Sequence, residues 1–222
     1  MNKILMGLVI VCLIASVIYK RWAVSSTLRK LYRLRAGEDS GPFMEAVDSD
    51  FVRFHFSEFT RTFMKFNYWI SREAHREAEA LIPAFASLKC SVREKTALYS
   101  KLLGYTLEQG QYGAAQGYQK QLEQLLEGRT DRRSAAVRQE VRQLERVYLK
   151  RDISAIAELE AALAAASGEA KAVVCYRLAR LYCAKGEEDR VSEYLRMALE
   201  STASGPARRK LEQAISDHTI LM

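Results

Sequence analysis

Apolar residues recur at helical steps along most of the chain, most clearly between Ala172 and Leu199. Cys175, Leu178, Ala179 and Tyr182 follow three- and four-residue spacing, which places them on one face of a helix. A break at Lys185-Gly186 follows, and Val191, Leu195 and Ala198 then mark the apolar face of a second helix. Two such faces joined by a short glycine turn predict an antiparallel helix pair, each half burying the other. Two less regular pairs precede it. Tyr99, Leu102, Leu103 and Thr106 lead to Gly110 and then to Tyr112, Ala115 and Tyr118. Val141, Leu144 and Tyr148 lead to a turn placed at Asp152 and then to Ala157, Ala161 and Ala164. Asp152 lies 34 residues before Gly186 and 42 after Gly110, the longer interval taking in a loop over Gly128–Arg133. Ser204-Gly205-Pro206 reads as a stop and restart, and Ala207–Asp217 as a final helix with Leu211, Ala214 and Ile215 on one side.

Upstream, aromatic residues crowd between Phe51 and Trp69, with Phe59, Phe63 and Phe66 at helical spacing after a cap at Ser57. Such a stripe reads first as core, with a ligand surface as the alternative. A helix over Ala74–Phe85 is expected to pack on it. Gly37–Pro42 is turn-rich, and Pro42 suits the first turn of a short helix. Ser25–Ala36 is a basic helix with Leu28, Leu31, Tyr32 and Leu34 apolar. It lies on a membrane surface or continues the segment before it, and both readings stand.

That segment, Ile4–Tyr19, is uncharged and runs directly into Lys20-Arg21-Trp22. Its 16 residues span about 24 Å as a helix against a hydrocarbon core of about 30 Å, a shortfall that snorkelling cations absorb. A cleaved leader wants a small-x-small site after the apolar run, where Tyr19-Lys20-Arg21-Trp22 stands instead. A lipid-modified Cys12 wants a small residue before it, where Val11 stands. An uncleaved single-pass anchor in the cell membrane is therefore expected. Lys3 alone precedes the span, whereas Lys20, Arg21, Arg29, Lys30, Arg33 and Arg35 follow it, which keeps the carboxy-terminal body cytoplasmic. The formal net charge of +7 fits that flank, and equally a nucleic-acid or anionic-lipid surface. Cys12, Cys90, Cys175 and Cys183 show no zinc or redox spacing and suit a reducing compartment.

The hairpin spacing resembles the tetratricopeptide repeat, in which large-x2-Leu-small-x2-Tyr precedes Gly and then Ala-x3-Phe. Cys175 stands at the family's Trp position, Leu178, Ala179, Tyr182 and Gly186 fit, and Val191, Leu195 and Ala198 complete the second helix. Tyr118 falls one residue early, Glu145 stands at the small position and Asp152 at the turn glycine, so the two upstream copies diverge. The resemblance covers roughly residues 90–218 and only loosely 51–89. It implies a right-handed α-solenoid whose first helices line a groove for extended peptides. On that frame the groove side carries Gln139, Arg142, Arg146, Leu149 and Lys150, then Val173, Tyr176, Arg180 and Cys183. Arg142, Arg146, Lys150 and Arg180 would form a basic floor, with Leu149, Val173 and Tyr176 as apolar contacts. Arginine forks suit a terminal carboxylate or an acidic segment.

Arg138, Arg142, Arg146 and Lys150 stand at four-residue steps, a spacing at which like charges repel unless something offsets them. The plain alternative to a groove is a solvated face paired to Glu140, Glu145 or neighbouring acids. On the groove reading, Arg142→Glu with Arg146→Glu abolishes partner capture and leaves the melting temperature unchanged. His55, His75 and His218 lie in separate segments, and no HExxH, phosphate-binding glycine loop or GxSxG is present. No catalytic residue, metal or cofactor is expected. The reading is an all-α chain: anchor 1–24, basic helix and linker 25–50, irregular aromatic pair 51–90, repeats 91–204 and a capping helix with tail 205–222. Its expected work is binding a protein or peptide partner at the membrane; the alternative is a basic module for nucleic acid or anionic lipid.

Overall fold

The computed structural model describes residues 2–37, 39–203 and 205–221, with side chains from residue 18 onward except that of Pro206. Among the described residues the chain is helical without strands, and it divides into two compact units at Cys90/Ser91.

In the first unit, α1 (Asn2–Ala36) is one unbroken helix, so the basic stretch continues the segment before it. Leu31 is buried, with Leu34 beside it, against Phe43 and Val47 of α2 (Gly41–Asp48), Val52 of α3 (Asp50–His55) and Tyr68 of α4 (Glu58–Ser71). Leu31 and Leu34 are thus covered by the rest of the unit, while Tyr32 is 70% exposed. Among the described residues no helix is long and apolar enough to cross a membrane; the side chains of residues 4–17, on which the expected anchor falls, lie outside that description. Pro42 sits in the first turn of α2, and the Phe43 ring stacks on Tyr68 at 4.4 Å. The Ser57 hydroxyl caps α4, accepting from the Thr60 amide at 3.1 Å. Phe59, Phe63 and Phe66 surround Phe85 at 5.7, 6.4 and 5.8 Å, so this part of the aromatic stripe is core, whereas Phe51 and Phe54 are exposed. The helix expected over Ala74–Phe85 is broken into α5 (His75–Leu81) and α6 (Ala84–Ser87). Pro83 has no amide hydrogen to give the Glu79 carbonyl, which takes the Ile82 amide at 3.0 Å instead.

The second unit opens on a reciprocal cap. The Ser91 amide donates to Glu94 Oε2 at 2.9 Å and the Glu94 amide to Ser91 Oγ at 3.2 Å, starting α7 (Val92–Glu108). Then come α8 (Tyr112–Leu126), α9 (Arg132–Leu144), α10 (Ile156–Ala165), α11 (Gly168–Lys185), α12 (Glu188–Glu200) and α13 (Pro206–Ser216). Helix α7 packs on α8 and α9, and α11 packs on α10 and α12, with α13 against α12. One core runs through them, from Leu103 and Leu122 by Val141, Leu144 and Leu159 to Cys175, Leu178, Leu195 and Leu211. Beyond α13 a single turn of 3-10 helix, His218–Leu221, buries Leu221, an addition the sequence pattern did not signal.

Two of the turns share one chemistry. Gly110 and Gly186 adopt φ of 69° and 80°, where a side chain would be strained. The next amide reaches back five residues, Gln111 to Thr106 at 2.8 Å and Glu187 to Tyr182 at 3.0 Å. The middle turn differs. Its left-handed residue is Arg151, at φ 48°, not Asp152, and the Asp152 amide reaches back six residues to Arg146 at 2.8 Å. The extra residue is held in a π-helical segment, Glu145–Leu149, whose signature bond runs from the Lys150 amide to the Glu145 carbonyl at 2.9 Å. Past the insertion Val147 and Tyr148 are both buried.

Candidate functional site

The column of cations along α9 and the π segment after it is mostly occupied within the fold. Arg138 Nη1 donates to the Leu126 carbonyl at 3.0 Å, tying α9 to the end of α8. Arg146 donates from Nε to Asp152 at 2.7 Å, from Nη1 to Glu158 at 2.7 Å and from Nη2 to Ser154 at 3.1 Å. It therefore clamps the turn that leads into α10. Lys150, exposed, pairs with Glu145 at 3.0 Å. These contacts offset the repulsion built into the four-residue spacing. Arg142 alone in the column is exposed with no ion pair among the described residues. Asp152 reports the clamp: the Ser154 hydroxyl first, then the Arg146 guanidinium, hold its carboxyl down at about 2. Arg146→Glu would thus put an acid against Asp152 and Glu158, so the expectation that this change leaves melting unaltered is corrected.

On α11 the expected groove residues grade from open to closed. Val173 is exposed, Tyr176 and Cys183 are half-buried, and Arg180 is buried at 8% exposure. Leu149, at the end of the π segment, is half-buried against the core. The Arg180 guanidinium lies 4.5 Å from the centroid of the Tyr148 ring, the residue that the π insertion carries inward. Its Nε is buried with no hydrogen-bond partner, and no ion pair reaches it among the described residues. Buried arginines are ordinarily matched by a carboxylate, because an unmatched one keeps the cost of lost hydration. Burial pushes the Tyr148 hydroxyl up, and the nearby Tyr176 and Glu108 add to that. The Lys210 ammonium of α13 stands 5.9 Å from the Tyr176 ring centroid and 3.4 Å from Glu108 of α7. Tyr148, Tyr176, Arg180 and Lys210 thus gather where helices α7, α11, α13 and the π segment meet. The contacts that gather them do not include Arg142.

Three residues before Arg180, Arg177 differs in its terminal nitrogens, which are matched, although its Nε is as unpartnered as that of Arg180. It is buried at 7% and its fork is filled by Glu140 and Gln143 of α9, with Nη1 3.3 Å from Glu140 Oε2. Sequence reasoning missed this pair, since Glu140 and Arg177 fall on different helices and no periodicity links them. It also missed the cluster around Glu160, whose Oε1 accepts from the Tyr182 hydroxyl at 2.7 Å and the Tyr194 hydroxyl at 2.8 Å. Those two hydroxyls hold the Glu160 carboxyl below its usual range, and the tyrosine rings stack at 5.4 Å. Because every group there is matched, that cluster reads as a lock across α10, α11 and α12.

No group of three or more histidine, cysteine, aspartate or glutamate residues suited to a metal ion occurs among the described residues. Cys90, Cys175 and Cys183 form no disulfide among the described residues, and burial pushes Cys175 and Cys183 up, away from the thiolate form. The chemistry on offer at Arg180 is reception of an anion by a guanidinium that lies over the Tyr148 ring with no ion pair among the described residues. Compared with known proteins, the chain matches no family model, no curated protein and no solved structure.

Proposed function

We propose that this chain is a membrane-attached helical scaffold that captures an acidic or carboxylate-terminated segment of a partner protein at the cytoplasmic face. On this reading the hairpins of the second unit form a short right-handed solenoid like the tetratricopeptide repeat, closed by α13. Two observations favour that frame: the turns at Gly110, Arg151 and Gly186 all use a left-handed residue, and one core runs through the successive helices. The uncharged run Ile4–Tyr19 with its basic flank supplies the attachment.

Arg180 carries the proposal. An arginine only 8% exposed, lying over Tyr148 and without an ion pair among the described residues, weakens the fold unless a ligand completes it. Because π insertions tend to sit at functional positions, the segment that delivers Tyr148 points the same way. A panel of acidic peptides, each with a free and an amidated carboxy terminus, tests it against the purified full chain. Wild type binds members of the panel, and Arg180→Gln weakens that binding by about tenfold or more, as expected when one partner of a buried charge pair is truncated. Equal binding by Arg180→Gln, or no binding by wild type, rejects the reading.

A further inference from the structure

The net charge of the chain is concentrated in one place. Lys20, Arg21, Arg29, Lys30, Arg33 and Arg35 stand on α1 with no acid between Lys20 and Gly37. The other 28 of the 34 lysines and arginines nearly cancel 27 aspartates and glutamates. All six cations are exposed. Since Leu31 is buried in the first unit, the free side of α1 is the one opposite it. Trp22, Arg29 and Arg33 share that side, at seven- and four-residue steps, with Lys30 flanking them. Trp22 is 60% exposed and its ring lies 6.2 Å from that of Tyr19, itself 68% exposed.

We infer that this end of α1 is a collar for anionic lipid headgroups, an inference that rests on the membrane attachment proposed above. If the apolar run fills the hydrocarbon layer, Tyr19 and Trp22 fall at its edge, where amphipathic rings settle. Arg29 then stands about 10 Å beyond Trp22 and Arg33 about 16 Å beyond it, at 1.5 Å per residue. Helical side chains lean towards the amino terminus, here towards the bilayer, and a long guanidinium stem closes several more ångströms. Arg29 and Lys30 therefore reach phosphates directly, while Arg33 and Arg35 stay within about a Debye length of them. A nucleic-acid backbone would also take the cations but gives no role to the exposed Tyr19 and Trp22 at the edge of an apolar run.

The test uses the full chain in bilayers of phosphatidylcholine with a minor fraction of phosphatidylglycerol, cut out as polymer-bounded discs whose lipids are counted by mass spectrometry. Phosphatidylglycerol is expected to be enriched about twofold around the chain, since each surface cation attracts anionic lipid several-fold. High salt removes the enrichment, and so does the combined change Arg29→Gln, Lys30→Gln, Arg33→Gln and Arg35→Gln, which touches only exposed positions and leaves helicity unaltered. Discs of bulk composition around the wild type overturn the collar and leave attachment standing. A chain left in the aqueous fraction overturns attachment and the collar together. Retention of a DNA duplex by the detergent-solubilised chain, without lipid enrichment, reassigns the cations to nucleic acid and likewise overturns the collar.

Discussion

The hairpin α11–α12 and the reversal between α9 and α10 solve one folding problem in opposite ways. In α11–α12 the apolar faces do the work: Cys175, Leu178, Ala179, Val191 and Leu195 are fully buried, and the chain reverses at Gly186 without strain. Between α9 and α10 the pattern is broken by Glu145 and an inserted residue, so that Ile156 and Leu159 are buried while Ala157, Ala161 and Ala164, the expected face, are exposed, and the chain reverses at Arg151, a residue with a side chain in left-handed space. Polar contacts make up the difference there, with Arg146 gripping Asp152, Ser154 and Glu158. The regular hairpin is specified by burial and the irregular one by a clamp. The irregular one also carries Tyr148 under Arg180, which stands on α11 of the regular pair. The candidate site therefore draws on both.

The largest effect expected is in the regular hairpin. Leu178→Ala should lower unfolding free energy by about 2–5 kcal/mol through lost burial and the cavity left behind. Leu144→Ala, at the edge of the π segment and 9% exposed, should cost less in the same denaturant titration; the reverse order would break the contrast. Next come the turns. Gly186→Ala should cost about 1 kcal/mol from the dihedral alone, because a Cβ there meets nothing within 4 Å. Arg151→Gly should cost less than Gly186→Ala or stabilise, and a larger loss at Arg151 would show that its side chain, not the polar clamp around it, secures the turn. The smallest effect is in pH. Asp152 is held at about 2, below its unfolded value of about 4, so its contribution is whole above about pH 4 and fades as pH falls towards 2. The melting-temperature gap between wild type and Asp152→Asn should narrow over that window, and a gap independent of pH would remove the clamp from the account.

How much of this was legible in the sequence follows from the same contrast. Periodic burial announces itself, so the faces of α11 and α12, the cap at Ser57, Pro42 at the start of α2 and the glycine turns could all be read. The aromatic stripe around Phe85 could be read as core for the same reason. A π insertion leaves the apolar spacing nearly intact over one turn, so the spacing points to a reversal at Asp152, one residue past the left-handed Arg151. The break at Pro83 was masked by continuing apolar spacing through Ile82 and Phe85. Basic residues were legible as a column but not as separate fates: Arg146 and Lys150 are paired within the fold, Arg180 is buried and Arg142 stays in solvent. Pairing is decided by tertiary neighbours such as Glu158 and Glu140, which one-dimensional spacing does not supply.

Arg177 and Arg180, three residues apart on α11, allow the most direct test. The account holds that Arg177 serves the fold and Arg180 serves a ligand. In chemical denaturation of the full chain, Arg177→Met should lose about 1–2 kcal/mol, as charged hydrogen bonds to a half-exposed Glu140 do. Arg180→Met should leave stability unchanged or raise it, since methionine keeps the stacking on Tyr148 and removes an unmatched charge. A loss at Arg180 equal to that at Arg177 would contradict the account.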